Sequence, residues 1–241
     1  MPLEIVQLPL LSDNYAYLLH DVGSGETAVV DPSEAAPVLQ ALDERGWKLS
    51  KILSTHHHAD HVGGNREIKA RTNCAVYGFS EDASRIPGID HALLDGDQVS
   101  VGDAEGEVLF IPGHTTGHIA YYFAHEKAVF CGDTLFSLGC GRLFEGTPAQ
   151  MFASLQRLAA LPGDTKVYCG HEYTQSNGAF ALVVEPENDA LKSYMEHVHN
   201  LRAKGLPTVP STMETECECN PFIRAKDVAE FTQRRLLKDR F

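Results

Sequence analysis

The sequence predicts an α/β protein in which two mixed β-layers are flanked by helices and followed by a purely helical C-terminal segment. Three observations carry this. Short apolar runs rich in β-branched and aromatic residues alternate with amphipathic stretches over the first 173 residues. Several of those runs end in a histidine or aspartate beside glycine, as in ligand loops at the carboxyl ends of strands. From about Thr174 strand-like runs give way to helical periodicity alone.

The elements follow in order. Residues 3–8 and 15–19 read as paired strands joined by the turn Ser12-Asp13-Asn14, and 27–30 as a third strand ended by Asp31-Pro32. Ser33 is placed to cap a helix over 34–45, closed by Gly46, with Val38, Leu39 and Leu42 on its apolar stripe. A buried strand over 51–55 leads into a histidine-rich loop and a helix over 65–70. Short strands are expected at 75–77, 99–101, 108–111, 119–123 and 128–131. Pro148 opens a helix reaching about residue 160, and 166–169 is another strand. Further helices are expected over 188–204, stopped by Gly205 and Pro207, and over 226–239. Residues 207–221 between them read as loop, with a short capped turn at Ser211-Thr212-Met213-Glu214.

A chain of 241 residues with 43% hydrophobic and 22% charged residues suits a soluble globular protein with a sizeable core. Its net charge of -13 argues against nucleic acid and anionic membrane as partners. The charge is uneven: Phe222 to the end carries a local +3, leaving -16 on the first 221 residues. A basic tail on an acidic body marks a seat for an anionic ligand. The six cysteines form no C-x-x-C pair, so reduced thiols are expected, and Cys217-x-Cys219 alone is a weak metal signal. The first residues lack a leader pattern, and no run reaches membrane-spanning length. A cytoplasmic monomer is the expectation.

The chemistry starts at Ser54-Thr55-His56-His57-His58-Ala59-Asp60-His61. In a nearly extended chain after a strand, His56, His58 and Asp60 project to one side while His57 projects to the other. Asp60 and His61 are adjacent and diverge, which suggests two metals rather than one. A chance match to H-x-H-x-D-H is expected only roughly 0.002 times in such a chain, so a mere polar loop is disfavoured. Three further strand ends deliver ligand types: His114 in Pro112-Gly113-His114, Asp133 in Gly132-Asp133-Thr134, and His171 in Gly170-His171-Glu172. Any one of them alone would be an ordinary satisfied polar residue.

This set resembles the metallo-β-lactamase superfamily, with Asp31 matching its usual first motif. It is most similar to the glyoxalase II family of hydroxyacylglutathione hydrolases. Gly139-Cys140-Gly141-Arg142-Leu143-Phe144-Glu145-Gly146, Tyr168-Cys169-Gly170-His171-Glu172-Tyr173-Thr174, Asn220-Pro221-Phe222 and Arg235-Leu236-Leu237-Lys238-Asp239 carry that closer likeness. The resemblance implies a four-layer αββα sandwich, with a dinuclear metal domain over 1–173 and a helical substrate-binding domain over 174–241. It implies two divalent metal ions, zinc first, with iron or manganese the alternatives. One ion is then assigned to His56, His58 and His114, and the other to Asp60, His61 and His171, with Asp133 bridging. Asp60 and Asp133 would act with a metal-activated hydroxide on a glutathione thioester, S-D-lactoylglutathione, in methylglyoxal detoxification. His57, His118 and Asp31 are expected to support the ligands. Arg235 and Lys238, one helical turn apart, would hold the glycyl carboxylate, and Arg142, Phe144 and Tyr173 would line the peptide portion. Arg142 and Phe144 stand where some members of the family have Lys and Tyr.

Two other activities fit the same scaffold: a different hydrolase of the superfamily, and a mononuclear-iron persulfide dioxygenase. The basic C-terminal helix speaks against the first, and the complete two-metal ligand set against the second.

Overall fold

The structure, a computed structural model, describes residues 3–241. By compactness the chain falls into two units, one running to Phe110 and including Gly117–Gly132, the other comprising Ile111–Thr116 and Asp133–Phe241.

In the first unit β1 (Leu3–Leu10) and β2 (Asn14–Asp21) form an antiparallel hairpin, and β3 (Glu26–Val30) pairs antiparallel with β2. Helix α1 (Ala35–Arg45) crosses over to β4 (Lys48–Leu53), which runs parallel to β3. Then come α2 (Ala59–Val62), α3 (Asn65–Thr72), β5 (Ala75–Phe79) and β6 (His91–Leu93), the last two extending the sheet in parallel. Strand order is that of the sequence, β1 to β6. A second group, β7 (Gln98–Val101), β8 (Ala104–Phe110), β9 (Ile119–Phe123) and β10 (Ala128–Gly132), is an antiparallel meander.

Strand β2 is buried along its whole length, which explains its unbroken apolar run: both of its faces are covered. Ala16 and Leu18 meet Val38 and Leu42 of α1 and Ile68 of α3 on one face. On the other, the Tyr17 ring lies 5.4 Å from Phe130 of β10, and Phe79 stacks on Phe110 at 4.7 Å. The unit is thus a helix layer, a mixed sheet and an antiparallel sheet.

Helix α1 ends as expected at Gly46, in the left-handed conformation. Its start differs. Glu34 takes the N-cap position without a side-chain cap, because the Ser33 hydroxyl donates instead to the Asp60 carbonyl. The backbone past β4 is tied down: Ser54 N–H donates to the Tyr77 carbonyl at 3.0 Å, Ile119 N–H to the Thr55 carbonyl at 2.9 Å, and the Tyr121 hydroxyl to the Ser54 carbonyl at 2.9 Å. Gly64 then passes so close to Pro32 that a Cβ would stand 2.7 Å from its carbonyl oxygen, which is why the histidine loop closes on glycine.

In the second unit β11 (Leu135–Phe136) and β12 (Gly139–Cys140) form a tight hairpin. Helix α4 (Pro148–Ala159) has Pro at its start and a full capping box between Thr147 and Gln150. Next are β13 (Lys166–Cys169), α5 (Thr174–Val184), α6 (Asp189–Ala203), β14 (Ser211–Thr212), α7 (Met213–Cys219) and α8 (Val228–Lys238). Strand β14 pairs antiparallel with β13. Side chains of Asn188, Thr212 and Asp227 cap α6, α7 and α8. The stretch expected as loop over 207–221 therefore contains a strand and a helix of two turns, α7. Leu138 packs with Ala181, Leu191, Met195, Val198 and Cys219, so the helices beyond Thr174 share a core with the hairpin after Asp133. Among the described residues no helix is long and apolar enough to cross a membrane.

Removing the Tyr121 hydroxyl leaves the buried Ser54 carbonyl without its donor. Tyr121→Phe is expected to cost about 1–3 kcal/mol, read as a lower urea midpoint with an unchanged slope. An unshifted midpoint would show that this bond does not hold the strand end.

Candidate metal centre

Each unit carries its own cluster of ligand-type side chains. In the first, Asp31 sits just past β3 in the left-handed region, at φ 48°. Its carboxylate accepts from Thr55 N–H at 2.8 Å and from the Thr55 hydroxyl at 2.6 Å, and it faces His61 Nδ1 at 3.1 Å. A buried carboxylate beside Nδ1 keeps the proton there and leaves the lone pair on Nε2, the tautomer a metal needs. Ligand atoms of Asp31, His56 and His61 lie within 4.8 Å of one another. The His56 ring stacks on His118 at 4.6 Å and stands 4.2 Å from His61 and 4.7 Å from His58.

Extended geometry over 56–60 holds only as far as His58. Helix α2 begins at Ala59, with His61 and Val62 N–H donating to the His58 carbonyl, so Asp60 leaves from a helical turn rather than from the extended chain. Asn14 fixes it there, its amide donating to the Asp60 carbonyl at 3.0 Å and to Oδ2 at 3.1 Å. His61 Nε2 is 3.7 Å from that same oxygen. His57 turns away, as expected of a supporting residue, placing Nδ1 3.0 Å from Asp82 and Nε2 3.2 Å from Arg85.

In the second unit Asp133 Oδ2 lies 3.5 Å from His114 Nε2 and 3.4 Å from His171 Nε2. Those spacings are informative. Two ligand atoms about 2.1 Å from one tetrahedral zinc stand about 3.4 Å apart. One carboxylate oxygen facing two imidazoles at this distance is therefore spaced as the ligand atoms of a divalent metal would be. His114 Nδ1 donates to the Arg142 carbonyl at 2.8 Å, which again directs the lone pair of Nε2 toward the cluster. Gly141 makes this close approach possible, since a Cβ would collide with the Asp133 carbonyl. The donor set of imidazole nitrogens and carboxylates fits divalent metal.

The residues expected at the substrate all lie in this unit. Tyr173 is 37% exposed and stacks on His171 at 4.7 Å, while Phe144, 63% exposed, sets its edge against His114 at 5.2 Å. Lys238 donates to the Ser176 carbonyl at 3.2 Å and lies over the rings of Phe180 and Phe241. Burial, and then the charges of Arg235 and Arg142, lower its pKa below that of an ordinary lysine. Arg235, expected at the glycyl carboxylate, is 5% exposed and donates to Asp239 and to the Cys140 carbonyl, at 2.8 and 2.9 Å. Sequence reasoning missed Asn14, Ser33 and Gly141. No local pattern ties Asn14, at the start of β2, to a carboxylate 46 positions later.

The fold, with its buried histidines and aspartates, is that of a well-populated class. Residues 11–171 match the metallo-β-lactamase superfamily, an αββα sandwich, and residues 172–241 match the hydroxyacylglutathione hydrolase C-terminus. The chain is 58% identical over 222 residues to hydroxyacylglutathione hydrolase of Methylococcus capsulatus, covering 92% of this chain and 87% of that one. Over 231 residues it is 55% identical to the enzyme of the same name from Rhodospirillum rubrum, covering 96% and 90%. It belongs to the hydroxyacylglutathione hydrolase family. Among solved structures, ETHE1 from Myxococcus xanthus aligns with a TM-score of 0.76 at 28% identity, covering 97% of this chain and 90% of that one. The B3 metallo-β-lactamase BLEG-1, at 24% identity and a TM-score of 0.70 over 91% and 99%, shares the fold.

Asp31→Asn keeps the size of the side chain but loses the charge that holds the His61 proton. Metal affinity is expected to fall about 10–100-fold, read by competition with a chromophoric chelator. Affinity equal to wild type would remove Asp31 from the ligand-orienting set.

Proposed function

We propose that the chain is a dinuclear metal-dependent thioester hydrolase that converts S-D-lactoylglutathione to D-lactate and glutathione, a step of methylglyoxal detoxification. One observation carries the reading: the cation cluster Arg142, Arg235 and Lys238 shares a compact unit with the His114–Asp133–His171 cluster, within a family match that spans both segments. Identity of 58% to a hydroxyacylglutathione hydrolase, against 28% to ETHE1, favours it over other activities on this fold.

In this reading His56, His58 and His114 would hold one ion and Asp60, His61 and His171 the other, with Asp133 serving both and zinc the first choice. When bound, two such cations supply Lewis acidity and a water of lowered pKa. The remaining work belongs to the chain. Asp133 and Asp60 fix the geometry, and Asn14 keeps Asp60 from swinging away. Lys238 and Arg142 draw in the glutathione carboxylates, Arg235 adds charge from beneath, and Phe144 and Tyr173 border the thioester beside the two histidines they touch. A water oxygen adds to the carbonyl carbon and gives up its protons to solvent, the C–S bond breaks, and sulfur departs as thiolate, which solvent can reprotonate. A thiol pKa of about 8.5 makes that leaving group good enough without a proton donor. Residues 1–173 then serve as the metal domain and 174–241 as the substrate-binding domain.

Purified protein is expected to hydrolyse S-D-lactoylglutathione, to lose that activity to chelator and to regain it with zinc. Asp133→Ala should lose metal and turnover together. Turnover of a simple lactone in preference to the thioester, or activity untouched by chelator, would overturn the assignment.

The lowered Lys238 pKa gives a pH signature. The ammonium is charged below its pKa and neutral above it, so KM for the thioester should climb at a lower pH than an ordinary lysine would give. Lys238→Arg stays charged and should hold KM flat across that range; parallel profiles would show that Lys238 does not hold a carboxylate.

A further inference from the structure

We infer that Glu216, with Asn220, is a positioning residue for this site: it sets the β11–β12 hairpin, and through the hairpin the placement of Asp133, Phe136 and Arg142. The hairpin is the only chain between Asp133 and Gly141-Arg142, and its backbone polar groups are held by side chains from further along the sequence. Leu138 N–H donates to Glu216 Oε2 at 2.9 Å. The Asn220 amide donates to the Phe136 and Gly139 carbonyls at 3.2 and 2.9 Å and to Glu216 Oε2 at 2.9 Å. Asn177 donates to the Ser137 carbonyl at 3.2 Å and Arg235 to the Cys140 carbonyl at 2.9 Å.

Two features say that this grip is more than packing. Leu138 sits at φ 59°, a left-handed conformation that a leucine adopts only at a cost of about 1–2 kcal/mol, so the turn persists because its N–H is held. Glu216 is fully buried, and burial raises the pKa of its carboxyl. An isolated buried acid is expensive and an apolar residue would fill the space at lower cost, so its presence is best accounted for by the one conformation it specifies.

The hairpin passes that conformation on. Phe136 sets its edge against His171 at 5.9 Å and Tyr173 at 5.2 Å. Beyond Cys140, Gly141 abuts the Asp133 carbonyl and the His114 ring, and the Arg142 carbonyl holds His114 Nδ1. The family signature Asn220-Pro221-Phe222 thereby gains a role: Asn220 and Glu216, one turn apart around the end of α7, clamp the segment that carries a ligand at one end and a substrate cation at the other.

The kinetic arm of the test rests on the thioesterase reading; the exchange arm does not. Glu216→Gln keeps an acceptor for Leu138 N–H and should retain kcat and KM within about twofold. Glu216→Ala should lower kcat about 10–100-fold and raise KM, while amide exchange at residues 135–141 accelerates at least about tenfold and the β1–β2 hairpin stays at its wild-type rate. Glu216→Asp, which keeps the carboxyl but draws the acceptor back, gives an intermediate result of the same sign and serves if the alanine variant does not accumulate. Wild-type kinetics and local exchange in folded Glu216→Ala or Glu216→Asp would overturn the inference, as would exchange accelerated equally in both hairpins. Should the wild-type chain not turn over the thioester, hairpin exchange decides alone.

Discussion

An imidazole whose one nitrogen is held by a hydrogen bond presents the other in a fixed direction, and this constraint organises the interior. Asp31 meets it for His61 while joining the ends of β3 and β4, since the same carboxylate takes the Thr55 N–H and hydroxyl. The Arg142 carbonyl meets it for His114. The ends of β3 and β4 are therefore positioned by hydrogen bonds to the same carboxylate that orients His61, so stability and the placement of that imidazole are coupled there. The left-handed backbone at Asp31 is strain retained where several bonds hold it in place.

The second unit applies the same economy to a different problem. A two-strand hairpin of two residues each cannot hold itself, so side chains from α5, α7 and α8 and from Asn220 satisfy its backbone. The C-terminal helices thus share their core and their polar contacts with the segment that carries Asp133.

Much of this was legible in the sequence, for reasons that differ by element. Helix α1, with Val38 and Leu42 inward and Gly46 as its stop, and α4, with its capping box, follow from periodicity and local chemistry. The ligand types stood out because histidine and aspartate cluster at strand ends. What escaped was non-local. Ser33 looked like a helix cap, but the Asp60 carbonyl competes for its hydroxyl, 27 positions away. The turn of helix at Ala59–Val62 is too short for periodicity to reveal, so an extended chain was the natural reading. Helix α7 was hidden among polar and cysteine residues, and only its Thr212 cap signalled it. Arg235 was expected to hold a substrate carboxylate, and nothing local shows that the Cys140 carbonyl lies 95 positions back to receive it.

The distribution of charge has a consequence for turnover. The proposed hydrolysis would convert one anionic thioester into two separate anions, and the first 221 residues carry -16. Under that reading the small cationic seat around Lys238 would draw substrate in, and the lactate formed would no longer be tethered to the glutathione that the seat would hold. An acidic protein repels such a fragment at long range, so its own field favours clearing the product and disfavours its return.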